Sequence, residues 1–198
     1  MPAKAYLVRH GDTEWSKSGK HTGSTEVPLS PEGEERARLL APHLIGIGFD
    51  LVLVSPRQRA RRTCELAGLG ASVQAEPDLA EWNYGEYEGL TSKEILRDRP
   101  DWCLFSDGCP GGESPGAVSA RADRLIARIR SAEGRVALFS HGHFGRALGS
   151  RWMNLPVLEG RRLLLDPASL SILGYEHEAA MKPVLALWNY PPTGEPGA

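Results

Sequence analysis

A chain of 198 residues can fill one core well and is short for two, so residues 1–190 are expected to form a single domain and 191–198 a flexible, Pro- and Gly-rich tail. With 41% hydrophobic and 24% charged residues the composition is that of an ordinary soluble globular protein, and no run approaches the ~20 apolar residues of a membrane span, so no membrane partner is expected. A net charge of −2 supplies no general basic field, which argues against a nucleic-acid partner.

The opening "MPAKAYLVRHG" enters an apolar strand at Ala5–Val8 without the basic region, long apolar run and cleavage site of a secretory leader, and a cytoplasmic location is expected. That strand ends on Arg9, His10 and a glycine. Next, "LSPEGEERARLLAPHL" predicts one helix, with Ser30 as N-cap, Pro31 at the first helical position, acids in the first turn and an apolar stripe of Leu39, Leu40 and Leu44. A second strand, Leu51–Val54, delivers Ser55 and "SPRQRARRT", whose arginines begin a helix over Arg57–Leu66.

Residues 76–118, rich in Pro, Gly, acids and tryptophan, fit no regular element for long and are expected to form a functional loop region. Beyond them come a helix at Ser119–Arg130, a strand at Val136–Phe139 that runs into His141 and Gly142, a helix at His143–Met153, and strands at Ser169–Leu173 and Val184–Leu187. Short apolar runs alternating with amphipathic stretches predict an α/β fold: a single-domain three-layer sandwich, a mainly parallel sheet with helices on both faces. Cys64, Cys103 and Cys109 lack C-x-x-C spacing and read as free thiols, neither a disulfide framework nor a metal site.

Two strands that end in His-Gly invite a common explanation. In an open α/β sheet the carboxyl ends of parallel strands form the ligand crevice, so His10 and His141 can face one site although distant in sequence. The glycines, Gly142 among them, let backbone N–H groups approach an anion. Arg9 and Arg59 would join the same edge, and such a cluster repels itself unless an anion normally sits in it. Arginine matches phosphate oxygens with a planar fork and neutral histidine can attack phosphorus, so phosphoryl transfer through a histidine is the natural chemistry. A general acid is needed for the departing oxygen, and "LAEWNYGEYEGL" offers Glu81, with Glu86 and Glu88 as rivals. His143 reads either as second-layer support or as surface, His21 as a loop residue near the site, and His43 and His177 as structural or solvent-facing. Arg57, Arg61 and Arg62 read as a solvated helix face, and Trp82, Trp102, Trp152 and Trp188 as core or wall.

"LVRHGDTEW", "LSPEG", "SPRQRARRT", "EWNYGEYEG", "GGES" and "FSHGHFGRA", in this order, closely resemble the histidine phosphatase superfamily, in its phosphoglycerate-mutase-like branch, over roughly residues 5–150. The resemblance implies the corresponding fold, with His10 as the nucleophile that carries a transient phosphohistidine, Arg9, Arg59 and His141 holding the phosphoryl oxygens, and Glu81 as proton donor and acceptor. It further implies that Thr22 and Gly23 form the loop beside the phosphate and that Trp82, Asn83 and Tyr84 line the substrate, with no metal and no cofactor. Mutases of the family are commonly longer, carry Asn where Ser16 stands, and have an adjacent arginine pair that "RDRPDWCLFSDGCPGGES" lacks.

The pattern is most similar to the small phosphatases of the sedoheptulose-bisphosphatase and actinobacterial acid phosphatase type. A metal-independent phosphomonoesterase acting on a small phosphorylated metabolite, with a sugar phosphate favoured, is therefore the expectation; mutase-type transfer and a non-catalytic phospho-ligand or protein-binding module on the same fold are the alternatives. A two-metal phosphohydrolase lacks the converging Asp, Asn and His set, and a cysteine phosphatase lacks an arginine at the right distance after a cysteine. An exposed edge strand or the helix after Gly145 could carry a homodimer.

Overall fold

The computed structural model describes residues 3–176 and 182–192; the expected tail from 193 onward and His177 lie outside the described residues. In chain order the elements are β1 (Lys4–Arg9), α1 (Glu14–Lys17), α2 (Pro31–Arg38), α3 (Ala41–Leu44), β2 (Leu51–Val54), α4 (Gln58–Leu66), β3 (Gln74–Ala75), α5 (Ser92–Asp98), α6 (Leu104–Asp107), α7 (Pro115–Ser131), β4 (Arg135–Ser140), α8 (Gly142–Trp152), β5 (Leu170–Tyr175) and β6 (Pro183–Tyr190). The strands form one six-stranded sheet in the order β3-β2-β4-β1-β5-β6. Pairing is parallel from β3 through β1, and β5 is antiparallel to both of its neighbours.

The central strands β1, β2 and β4 are apolar on both faces because helices cover both, which makes a three-layer α/β domain. Successive residues alternate between two cores. Leu7, Leu53 and Leu138 face Leu125, Ile129, Phe144 and Trp152 of α7 and α8, whereas Val8, Val54 and Phe139 face Leu40, Leu44, Ala60 and Cys64 from the α2–α4 side. Among the described residues no helix is long and apolar enough to cross a membrane.

Several boundaries differ from the sequence expectation. The helix predicted through Leu44 stops at Arg38 and restarts as α3, with Pro42 near its start. Pro42 has no N–H for the carbonyl four residues earlier, and its ring crowds that carbonyl. Leu40 and Leu44 are buried, but Leu39 is largely exposed. α7 begins earlier than expected because Ser114 caps it and Pro115 takes the first turn, repeating the Ser30–Pro31 start of α2. The region expected to be irregular contains α5, whose Thr91 and Glu94 form a reciprocal capping box.

Candidate active site

The backbone ladder sets the two histidines side by side. β1 and β4 pair in parallel with Arg9 opposite Ser140, and His10 N donates to Ser140 O at 3.0 Å. The imidazoles of His10 and His141 come to lie with centroids 5.1 Å apart at 63°. β2, on the other side of β4, ends on Ser55, whose Oγ lies 2.7 Å from His141 Nε2. The chain leaving β1 is held tightly: a Cβ on Gly11 would stand 2.4 Å from Gly33 O, and Gly11 N donates to Thr63 Oγ1 of α4 at 3.0 Å. Glycine is required there by close backbone approach, not by its φ.

Hydrogen bonds assign the proton positions on both rings. Gly11 O can only accept, so His10 Nδ1, 2.7 Å away, carries the proton and Nε2 keeps its lone pair. Ser55 Oγ accepts from Arg57 N at 3.3 Å and has its own proton to give to His141 Nε2; in that arrangement the buried, unpartnered Nδ1 of His141 is the N–H donor. Burial, reinforced by Arg59 and Arg9, holds His10 well below its ordinary pKa of 6.5; burial and Arg59 do the same to His141. Both rings are neutral near pH 7.

Arg9 and Arg59 reach the same point from β1 and α4. Arg59 is fully buried; it donates from Nη2 to Thr22 O and Gly23 O at 2.9 and 3.1 Å and from Nη1 to Thr25 O at 3.1 Å. Arg9 donates to Leu165 O. The Nε of each arginine is buried and unpartnered, and among the described residues neither has a carboxylate at ion-pair distance. Desolvation is the main cause that lowers the pKa of both. Buried donors left idle around neutral imidazoles describe a pocket built for an anion with several oxygens.

Glu81 stands over this cluster, 8% exposed. Its Oε1 accepts from Trp82 N at 2.9 Å and Phe144 N at 2.7 Å, and its Oε2 from His143 N at 3.1 Å, so the carboxylate is seated on the first turn of α8. The rival acids have other tasks or places. Glu88 accepts from Gly23 N and Thr25 N at 2.9 and 3.0 Å and so orders the 22–25 loop, and Glu86 is packed near Gly111.

The cleft, ≈ 170 Å³, is lined by Arg9, His10, Ser16, Thr22, Glu81, Tyr84 and Gly142 of the expected set. Ser16 also completes the cap of α1 with Thr13. Gly23 lies behind the cleft, where its carbonyl holds Arg59. Two expected substrate-lining residues are placed elsewhere. Trp82 is fully buried, its indole N–H donating to Glu113 O at 3.0 Å and its ring packed on Phe105. Asn83 turns to the surface, where its side chain accepts from Gly85 N at 3.1 Å.

Conversely, His21 and His143 both line the cleft, stacked at 5.7 Å and 14°, and Tyr84 Oη lies 2.6 Å from His143 Nδ1. Burial lowers both imidazoles and raises the Tyr84 phenol. Arg146, one turn along α8 from Gly142, lines the cleft as well; the i, i+4 spacing in "GHFGR" was the available signal. Cys64 and Cys109 are pushed up to about 12, chiefly by burial, and are poor nucleophiles.

Comparison with known proteins identifies the family and the fold. A family model described as histidine phosphatase superfamily (branch 1) matches residues 5–190. An acid phosphatase of Mycobacterium tuberculosis is 44% identical over 93% of this chain and 93% of its own length. The sedoheptulose 1,7-bisphosphatase of Saccharomyces cerevisiae is 32% identical over 94% of this chain and 93% of its own. A solved structure from Mycobacterium tuberculosis, 42% identical, superposes with a TM-score of 0.88 over 98% of this chain and 99% of that one.

Proposed function

The chain belongs to the histidine phosphatase superfamily, and on that premise we propose a phosphomonoesterase that hydrolyses small phosphorylated metabolites, sugar phosphates among them, through a phosphohistidine on His10. The observation that carries the reading is the tautomer of His10: Gly11 O takes the Nδ1 proton, so Nε2 is a free nucleophile inside a ring of idle cationic donors. The relatives named acid phosphatase and sedoheptulose 1,7-bisphosphatase support hydrolysis as the outcome.

In this reading His10 Nε2 attacks phosphorus as the ester P–O bond breaks. Arg9, Arg59 and the Nδ1–H of His141 receive the charge on the non-bridging oxygens. Glu81 gives a proton to the leaving oxygen, then takes one from the water that attacks the P–N bond, restoring His10 and releasing phosphate. Binding energy placed on the phosphoryl group serves every monoester alike, so selectivity falls to the outer cleft. A cytoplasmic location would suit metabolite esters.

The test is phosphate release from 4-nitrophenyl phosphate, phosphoglycerates and sugar mono- and bisphosphates, with EDTA present and His10→Ala alongside. Loss of the nucleophile should lower kcat by on the order of 10⁴-fold or more. Undiminished release in the variant, or interconversion of 2- and 3-phosphoglycerate without release, would refute the proposal.

A further inference from the structure

One turn links the last strand of the sheet to the catalytic dipeptide. In Asp166–Pro167–Ala168–Ser169, Ser169 N donates to Asp166 O at 3.2 Å and Ala168 stands in the left-handed region at φ 55°. Proline second and a positive φ third are the pattern of a type II turn, which ordinarily takes glycine in the third place. The turn holds both residues at the end of β1: Ala168 N donates to His10 O at 3.0 Å and Arg9 N donates to Ser169 O at 3.2 Å. One residue earlier, Leu165 O accepts from Arg9 Nη1, the single side-chain hydrogen bond of Arg9 among the described residues.

The Leu165 carbonyl is aimed from both sides. β6 bulges against β5, so that Trp188 and Asn189 stand opposite the single residue Ser171, and Asn189 is left-handed at φ 58°. From this bulge the Trp188 indole N–H donates to Leu164 O. The Asn189 side chain pairs reciprocally with Asp166: Oδ1 accepts from Asp166 N at 2.6 Å and Nδ2 donates to the Asp166 carboxylate at 2.8 Å. Leu165 therefore lies between two anchored neighbours, with its side chain seated on α8, where a Cβ added to Gly145 would come within 2.5 Å of Leu165 Cδ2. Glycine would adopt the bulge conformation at less cost, but asparagine adopts it and also brings an acceptor and a donor on one short side chain. Residues held in such conformations persist where the surrounding structure fixes a functional group.

We infer that Asn189 is a positioning residue for Arg9: from the β6 bulge it fixes the 164–166 segment and, through the Leu165 carbonyl, the guanidinium that receives the phosphoryl oxygens. The inference rests on the phosphatase reading above for the task of Arg9, and Asn189 itself lies outside the cleft lining. The guanidinium is planar, so a bond at Nη1 together with the backing of Gly142, where an added Cβ would be 3.2 Å from Cζ, sets the plane of the whole fork.

The experiment compares three variants. Asn189→Gly keeps the left-handed backbone and removes both side-chain bonds; Asn189→Asp sets two carboxylates face to face; Asn189→Asp combined with Asp166→Asn rebuilds the reciprocal pair with amide and carboxylate exchanged. Kinetics with 4-nitrophenyl phosphate and with the fastest sugar phosphate of the panel above are expressed per folded molecule, with Tm and the affinity for inorganic phosphate measured alongside. Each single variant should lower kcat/KM by roughly 10- to 100-fold, the scale of a displaced binding group. The factor should be the same for both esters, because Arg9 serves the phosphoryl group they share. Inorganic phosphate should bind both single variants more weakly, and the combined variant should recover most of both losses.

A lowered Tm with unchanged kcat/KM per folded molecule, a loss confined to one ester, or no recovery in the combined variant would overturn the inference. If the wild-type protein binds inorganic phosphate but releases none from any ester, the phosphatase reading alone fails, and phosphate affinity across the same variants decides the placing of Arg9. Absence of both turnover and phosphate binding in the wild type would overturn both.

Discussion

The arginines at the carboxyl edge of the sheet and those on the outer helices live under different electrostatic rules. Arg124 of α7 and Arg151 of α8 are answered by side chains of the same protein: Arg124 meets Asp78 at 2.8 Å, and Arg151 meets Asp123 at 2.9 Å. Even Arg121, largely buried, has Glu113 for a partner and reaches the carbonyl oxygens of Asp78 and Ala80. At the sheet edge Arg59 is more deeply buried than any of these and donates only to carbonyl oxygens, with Nε idle. Burial alone therefore does not distinguish function from architecture; what distinguishes them is whether the chain supplies the counter-charge.

That contrast can be broken most forcefully at Arg59. Arg59→Met should lower kcat/KM by roughly 10²–10³-fold, the usual cost of removing one oxyanion donor, while Tm moves little because desolvating an uncompensated charge already weighs against the folded state. Inorganic phosphate should raise the Tm of the wild-type protein and leave that of the variant unmoved. A large fall in Tm with kinetics intact would reverse the assignment.

Arg121→Met should behave oppositely. It strands Glu113 beside the 78–83 segment and should cost about 3 kcal/mol of stability, measured by urea unfolding. Activity per folded molecule should change far less than in Arg59→Met.

The smallest effect concerns pH. With His10 held well below 6.5 by burial, kcat/KM should show no acid limb at 6.5, and any such limb belongs at lower pH. Stability has the complementary slope. In the unfolded chain His10, His141 and His143 protonate near 6.5, whereas in the fold burial keeps them neutral, so unfolding takes up protons below that pH. Stability should fall as pH drops from 6.5 toward the folded-state values and level off beneath them. A stability maximum in that interval would contradict the assigned ring states.

Much of this was legible because it is local. Apolar runs with helical stretches between them mark β1, β2, β4, β5 and β6, and the His-Gly strand endings single out the crevice from the sequence alone. Other features depend on tertiary context. β3 has two residues, too few for periodicity to register. Trp82 follows the acid and was expected on the substrate wall, but its indole N–H has a buried acceptor in Glu113 O, and a large ring gains more from the core than from the cleft. His143 acquires its place from Tyr84, a partner that sequence order does not suggest. The Thr91–Glu94 capping box and the Gly142–Arg146 spacing are written in the sequence as well, although both lie outside the apolar periodicity that marks the strands.

The shared ladder of β1 and β4 has one more consequence. The nucleophile and its companion imidazole hang from the last rungs of the two central strands, tied by His10 N to Ser140 O and by Ala168 N to His10 O. Their spacing is thus a property of the slowest-exchanging kind of backbone hydrogen bond, and no loop closure is needed to assemble them. Catalytic competence and amide protection of these strands should therefore be lost together under denaturant, in one cooperative step, while the outer cleft wall can breathe without costing the enzyme its nucleophile.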